Sequence, residues 1–338
     1  MLGGAVGDAL GYTVEFMSMG DLREKYGNRG VRELEIDGTI GKAMISDDTQ
    51  LTAFTADGLI GADNRAREKG VYAYTQSIFY AYQMWYYTQT GHFSDENYAH
   101  LSKQGQIHRW KELYERRVPS PTCLLALEGS TDGKYGTLKN SINNKKGNGG
   151  VKRAAPIGLY FYDDPKKAFL IGCESAALTY GHPDGILPAG FFSCLIANLV
   201  QGKKMENAAE AALKELEEWP DSRTTSSLVE KALSLSKRST SPYEGIIELG
   251  EGRSGEEALA MGLFSALVHQ DNFQDAVCVA VNHGGDSDCI GSICGNIMGT
   301  YLGSLEIPYN WIHNVELDDL MVMLADQLLE CRITKGEK

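Results

Sequence analysis

Two short acidic runs hold the residues best suited to chemistry in this sequence. Ser46-Asp47-Asp48-Thr49 stands directly before an apolar stretch, 51–60, and Gly285-Asp286-Ser287-Asp288-Cys289 stands directly before a glycine-striped stretch that begins at Ile290. Carboxylates and hydroxyls at a helix start satisfy free N–H groups and suit the positive end of the helix dipole, at about 0.5–2 kcal/mol each. One aspartate per helix would suffice for that, yet each run has two. If all four approach one another, their repulsion must raise their proton affinities or be cancelled by a cation. Oxygen ligands without clustered His or Cys favour a hard ion such as Mg²⁺ or Mn²⁺. Separate caps and a shared site both remain open at this level.

A second group lies near the start of the chain. Asp8 and Glu15 are seven apart, so on a helix they share one face two turns apart. Asp8 lies inside a stripe of glycines, Gly3, Gly7 and Gly11, matched near the other end by Gly291, Gly295, Gly299 and Gly303. Each interior glycine costs roughly 1 kcal/mol against alanine, so such stripes survive where another backbone must come close. The two stripes therefore predict crowded central helices. A carboxylate in that setting is costly unless paired, which draws Asp8 towards the acidic site; the alternative is a frayed, exposed first segment. Other chemistries lack their signatures. His182 and His283 form no H-x-x-x-H pattern, no G-x-S-x-G elbow occurs, and paired E-x-x-H motifs are missing.

The positioning elements read as helices. Apolar residues recur near 3.6 spacing over 51–60, 71–88, 165–178, 187–201, 205–216, 227–236, 254–269, 273–282 and 317–331, whereas 31–36 is the best of few strand candidates. This predicts an all-α fold. The stretch 132–150, rich in Gly and Asn, reads as an irregular surface segment, and 219–225 and 237–242 as helix connections. Composition is alike on both sides of 132–150, so one domain, 1–338, is expected. With 45 acidic against 32 basic residues and a net charge of -13, nucleic acid is a poor partner. Seven scattered cysteines without a C-x-x-C pair fit reduced thiols in a cytoplasmic protein. No secretory leader is visible, and the apolar windows 190–200 and 290–302 fall short of a membrane span.

Five motifs in order resemble the ADP-ribosylglycohydrolase family: Gly4-Ala5-Val6-Gly7-Asp8-Ala9-Leu10-Gly11 with Glu15, Ser46-Asp47-Asp48-Thr49, Gly147-Asn148-Gly149-Gly150 with Arg153-Ala154-Ala155-Pro156-Ile157-Gly158, Gly181-His182-Pro183, and Asn282-His283-Gly284-Gly285-Asp286-Ser287-Asp288. Thr13-Val14-Glu15-Phe16-Met17 is especially similar to the bacterial branch that contains the dinitrogenase reductase-activating glycohydrolase. The resemblance implies a compact, single-domain all-α fold with a dinuclear Mg²⁺ or Mn²⁺ centre that removes ADP-ribose from a modified side chain, arginine by likeness to that branch. It implies Ser46, Asp47, Asp48, Asp286 and Asp288 as metal ligands, with Cys289 where a hydroxyl is usual. Glu15, Asp47 and Asp288 would be catalytic, and Gly147, Asn148, Gly149, Gly150 and His182 would line the substrate pocket, the glycines facing the diphosphate. Two departures follow. A neutral thiol at Cys289 is a poor Mg²⁺ ligand, implying a weaker metal, a preference for Mn²⁺ or a softer ion, or a lapsed hydrolase that only binds. Lys152, where many relatives carry Met, would add positive charge near the diphosphate. The expected partner is an ADP-ribosylated protein. The alternatives are an immunity factor that neutralises an ADP-ribosyltransferase toxin by blockade, and a hydrolase of another ADP-ribose linkage.

Overall fold

Apolar residues repeating every three to four positions fold into sixteen α-helices among the described residues, 1–15, 17–103, 106–238 and 241–336, in a computed structural model. In chain order they are α1 (Leu2–Tyr12), α2 (Met19–Tyr26), α3 (Asp47–Lys69), α4 (Tyr74–Thr90), α5 (Pro121–Glu128), α6 (Ala155–Tyr160), α7 (Pro165–Ala177) and α8 (Pro183–Val200). The second half adds α9 (Met205–Glu217), α10 (Arg223–Leu235), α11 (Pro242–Ile247), α12 (Gly255–Val268), α13 (Phe273–Val281), α14 (Ser287–Leu302), α15 (Tyr309–Asn314) and α16 (Asp318–Gly336). The all-α expectation holds, with only isolated bridges and no sheet among the described residues. Phe16, inside the stretch similar to the bacterial branch, and Ser239 and Thr240, inside the second connection, lie outside the described residues.

The glycine stripes form the centre of the molecule. α1 packs along α14, which also touches α3, α8, α12 and α13. A β-carbon at Gly7 would overlap the carbonyl of Gly291, and one at Gly295 would overlap the carbonyl of Gly3. Backbone is thus pressed on backbone, which only glycine permits. Gly303 is different: it has φ of +88° and ends α14. The frayed alternative for the first turns is overturned, since Gly3 to Gly11 is buried and Asp8 has no exposed surface.

Two local expectations are corrected. Residues 31–36 form no strand; the Asn282 side chain accepts from Val31 N at 2.8 Å and donates to Val31 O at 2.9 Å, supplying the bonds a neighbouring strand would have made. The apolar window 190–200 belongs to an 18-residue helix, α8, long and apolar enough to cross a membrane, with 89% of it buried inside the fold. That enclosure is the condition of a core helix.

Candidate metal and active site

The site begins with the question of what caps α3. Ser46 Oγ accepts from Asp48 N at 3.2 Å, and Asp8, reaching across from α1, accepts from Ser46 N and Thr49 N, both at 3.1 Å. Burial pushes the Asp8 carboxyl up to about 6 despite these donors. The capping positions are therefore filled by Ser46 and Asp8, and capping does not account for Asp47 and Asp48. At α14, Asp286 occupies the cap position without making a side-chain capping bond. Instead Asp286 Oδ2 accepts from Asn148 Nδ2 at 3.0 Å, while the same amide donates to Gly252 O at 2.8 Å. Separate caps are thus the weaker of the two explanations.

The acidic runs meet. Glu15, on the turn that follows α1, joins Asp286 and Asp288 so that one oxygen from each lies within 4.8 Å of the others. Asp288 is 3% exposed, and its Oδ1, like Glu15 Oε2, is buried without a hydrogen-bond partner. Burial first, then Asp48, Asp286 and Glu15, pushes the Asp288 carboxyl well above the usual range. Burial and the Asp286 charge push Glu15 up to about 7. Buried, unpartnered carboxylate oxygens that repel one another fit a hard divalent cation, which would bring them the charge they lack.

Asp47 and Asp48 face another cation. Lys152 Nζ lies 3.0 Å from Asp47 Oδ1 and forms an ion pair with Asp48, and Asp47 Oδ2 also accepts from Ser120 N at 3.4 Å. Burial acts to neutralise the Lys152 ammonium, but Asp47, Asp48 and Asp288 outweigh it and keep it charged. The positive charge expected near a diphosphate lies on these aspartates instead. Cys289 is fully buried in the first turn of α14, where burial keeps its thiol neutral.

The remaining predicted residues pack around the starts of α8 and α12 and the turn after α7. Gly147 pairs with Ser254, and a β-carbon at Gly149 would overlap the Tyr180 hydroxyl, so the segment is pressed against α7's outgoing turn. Gly150 is similarly closed in by Ala176 and the Gly185 carbonyl. His182 caps α8, its Nδ1 accepting from Asp184 N at 3.1 Å. His283, made neutral by burial with its value lowered to about 4, accepts from Gly285 N at 3.1 Å and shapes the turn that delivers Asp286. Sequence alone did not point to Asn148 as the holder of Asp286, nor to Lys152 as the partner of Asp47. The one available signal was that a lysine beside a glycine-rich segment must find a counter-ion if buried.

The sequence model of the ADP-ribosylglycohydrolase family matches residues 1–338. The chain is 26% identical over 334 residues to an uncharacterised protein of Archaeoglobus fulgidus, covering 98% of this chain and 94% of that protein. It is 22% identical to the ADP-ribosyl-[dinitrogen reductase] glycohydrolase of Rhodospirillum rubrum, covering 94% and 88%, and 23% identical to the ADP-ribosylarginine hydrolase Tri1 of Serratia proteamaculans, covering 56% and 48%. A solved structure, an ADP-ribosylglycohydrolase-related protein complex, shares the fold with a TM-score of 0.62 at 22% identity, covering 98% of this chain and 95% of that one.

Proposed function

The chain belongs to the ADP-ribosylglycohydrolase family, and from that premise we propose that it hydrolyses the N-glycosidic bond between ADP-ribose and arginine side chains of proteins, with a divalent cation, Mg²⁺ or Mn²⁺, at Glu15, Asp286 and Asp288. One observation carries the proposal: three carboxylates from opposite ends of the chain converge, and Glu15 and Asp288 each bring a buried oxygen without a hydrogen-bond partner. When bound, the cation supplies positive charge for the ribose hydroxyls and makes a nearby water more acidic. The chain's own residues supply the rest. Asp286 is held by the Asn148 amide and Asp288 by the first turn of α14, so both are fixed before substrate arrives. Glu15 lies on a turn, half-buried, beside Asp286 and Asp288, which puts a carboxylate next to the water the cation would acidify and suits it to take a proton from that water and return it. As water adds to the anomeric carbon, the bond to the guanidine nitrogen breaks; the water's proton passes to Glu15 and the departing guanidine takes one up. Arginine as the acceptor is supported by the name of the Serratia relative and by the stretch around Glu15.

Release of free ADP-ribose from an arginine-modified protein tests this, with and without EDTA and with Asp288→Ala. Release by the wild type, abolished by chelation and by the substitution, is expected. Undiminished turnover in EDTA or in Asp288→Ala would show that the chemistry lies elsewhere. A chain that releases nothing yet protects against an ADP-ribosylating toxin would replace hydrolysis by blockade.

A further inference from the structure

The backbone around Lys152 is firmly anchored. Its N–H donates to Asn148 O at 3.3 Å and its carbonyl accepts from Thr52 Oγ1 at 3.4 Å. The next residue, Arg153, is fully buried; it donates to Ser175 O at 3.2 Å and Thr179 Oγ1 at 2.7 Å, and its guanidinium lies 4.2 Å from the centre of the Tyr82 ring. From this anchor the Lys152 side chain, 7% exposed, delivers its ammonium to Asp47 and Asp48. Surface lysines keep their heads in water and lay only the stem on the protein. Here the head itself is enclosed.

A divalent ion held by Asp47 and Asp48 would sit beside that ammonium, like charge against like charge in a poorly screening interior. Their oxygens nearest to Lys152 are already engaged. Asp48 Oδ2 is also buried without a hydrogen bond, but its carboxylate carries the Lys152 ion pair, whereas Glu15, Asp286 and Asp288 form no ion pair with any side chain among the described residues, and Asp288 Oδ1 and Glu15 Oε2 are buried without a partner. We propose that Lys152 is a tethered cation occupying the Asp47 and Asp48 side of the centre, so that this chain takes up one divalent ion, at Glu15, Asp286 and Asp288, rather than the two implied by its sequence resemblance. The inference rests on reading the carboxylate cluster as a cation site, and not on which bond is cut.

Bound Mn²⁺ is counted by equilibrium dialysis and electron paramagnetic resonance on the full chain, for wild type, Lys152→Met, Asp48→Asn and Asp288→Asn. One ion per chain is expected in the wild type and two in Lys152→Met, the second signal carrying spin coupling to the first. Asp48→Asn, which removes a lysine partner and not a ligand of the single ion, retains one; Asp288→Asn loses it. If Lys152→Met fails to melt cooperatively, the wild-type count and the two aspartate variants decide. Two ions or none in the wild type, one ion in a folded Lys152→Met, or loss of the ion in Asp48→Asn would each overturn the proposal. A wild type that binds one ion yet releases no ADP-ribose would defeat the hydrolase reading and leave this one standing.

Discussion

Replacing Gly11 by alanine sets helix propensity against backbone contact at the point where the site is assembled. Gly11 is in the last turn of α1, four residues before Glu15, and its missing β-carbon would overlap the Ser287 carbonyl and crowd Asp288 N. Alanine gains at most about 1 kcal/mol over glycine from propensity. Inserting a methyl into a packed core costs about 1–3 kcal/mol, and here the upper end applies because a peptide group cannot rotate aside as a side chain can. The net loss should be about 1–2 kcal/mol. A chain of 338 residues has an unfolding entropy of about 0.7 kcal/mol/K. That loss therefore moves Tm by only about 1–3 °C, so denaturant titration, in which the midpoint falls at unchanged slope, is the sharper assay. The peptide being pushed joins Ser287 to Asp288, between two of the three proposed ligands, so Mn²⁺ affinity should fall on the order of tenfold with it, as when ligand supports are disturbed. Gly61→Ala provides the opposite sign: Gly61 lies within α3 with nothing near its β-position, and alanine there should stabilise by about 0.4–1 kcal/mol. The reasoning fails if Gly11→Ala is as stable as wild type and binds Mn²⁺ equally well while Gly61→Ala behaves as expected.

Glu15→Gln should change the pH dependence of stability in the metal-free protein. The folded value of about 7 lies above the ordinary 4.5, so the folded chain holds this proton more tightly and the Glu15 contribution declines as pH rises through that window. The variant should therefore gain on wild type between about pH 5 and 8 in denaturant midpoints, and saturating Mn²⁺ should reverse the order; parallel profiles without metal would refute it. Cys289→Thr should not improve Mn²⁺ affinity beyond about threefold, because the neutral thiol lies outside the carboxylate group, and it should cost about 1–2 kcal/mol by burying a hydroxyl. A tenfold gain in a calorimetric titration would restore the role of a hydroxyl ligand at this position.

What was legible in the sequence follows from how local each cause is. Helices with one apolar face, such as α9, α10 and α13, appear in the 3.6-residue repeat, which needs no knowledge of partners. The beginning of α8 was hidden because Pro183, Gly185 and Pro188 interrupt its pattern; in the fold, proline at the first turn suits a helix start. The false strand at 31–36 had the right apolar character but no strand to pair with among the described residues, and a side chain from the far end of the chain took that role. The glycine stripes were readable because a repeated local cost implies a non-local contact.

The site divides along the same line. The identity of the acidic residues was visible, since two aspartates exceed what one helix start requires. Which atoms do the capping was not, because the second cap of α3 comes from Asp8 on another helix. That substitution changes the electrostatics of everything beside it. With Ser46 and Asp8 on the free N–H groups, Asp47 and Asp48 need another source of positive charge, and the fold supplies Lys152. With Asp286 held by a neutral amide, Glu15, Asp286 and Asp288 receive none from a side chain in direct ion pairing among the described residues. Two carboxylate groups that look equivalent in sequence therefore face different conditions, one partly neutralised within the chain by Lys152 and one with no ion-pairing side chain among the described residues. That asymmetry is a property of contacts across the fold, and no count of aspartates in the sequence could have revealed it.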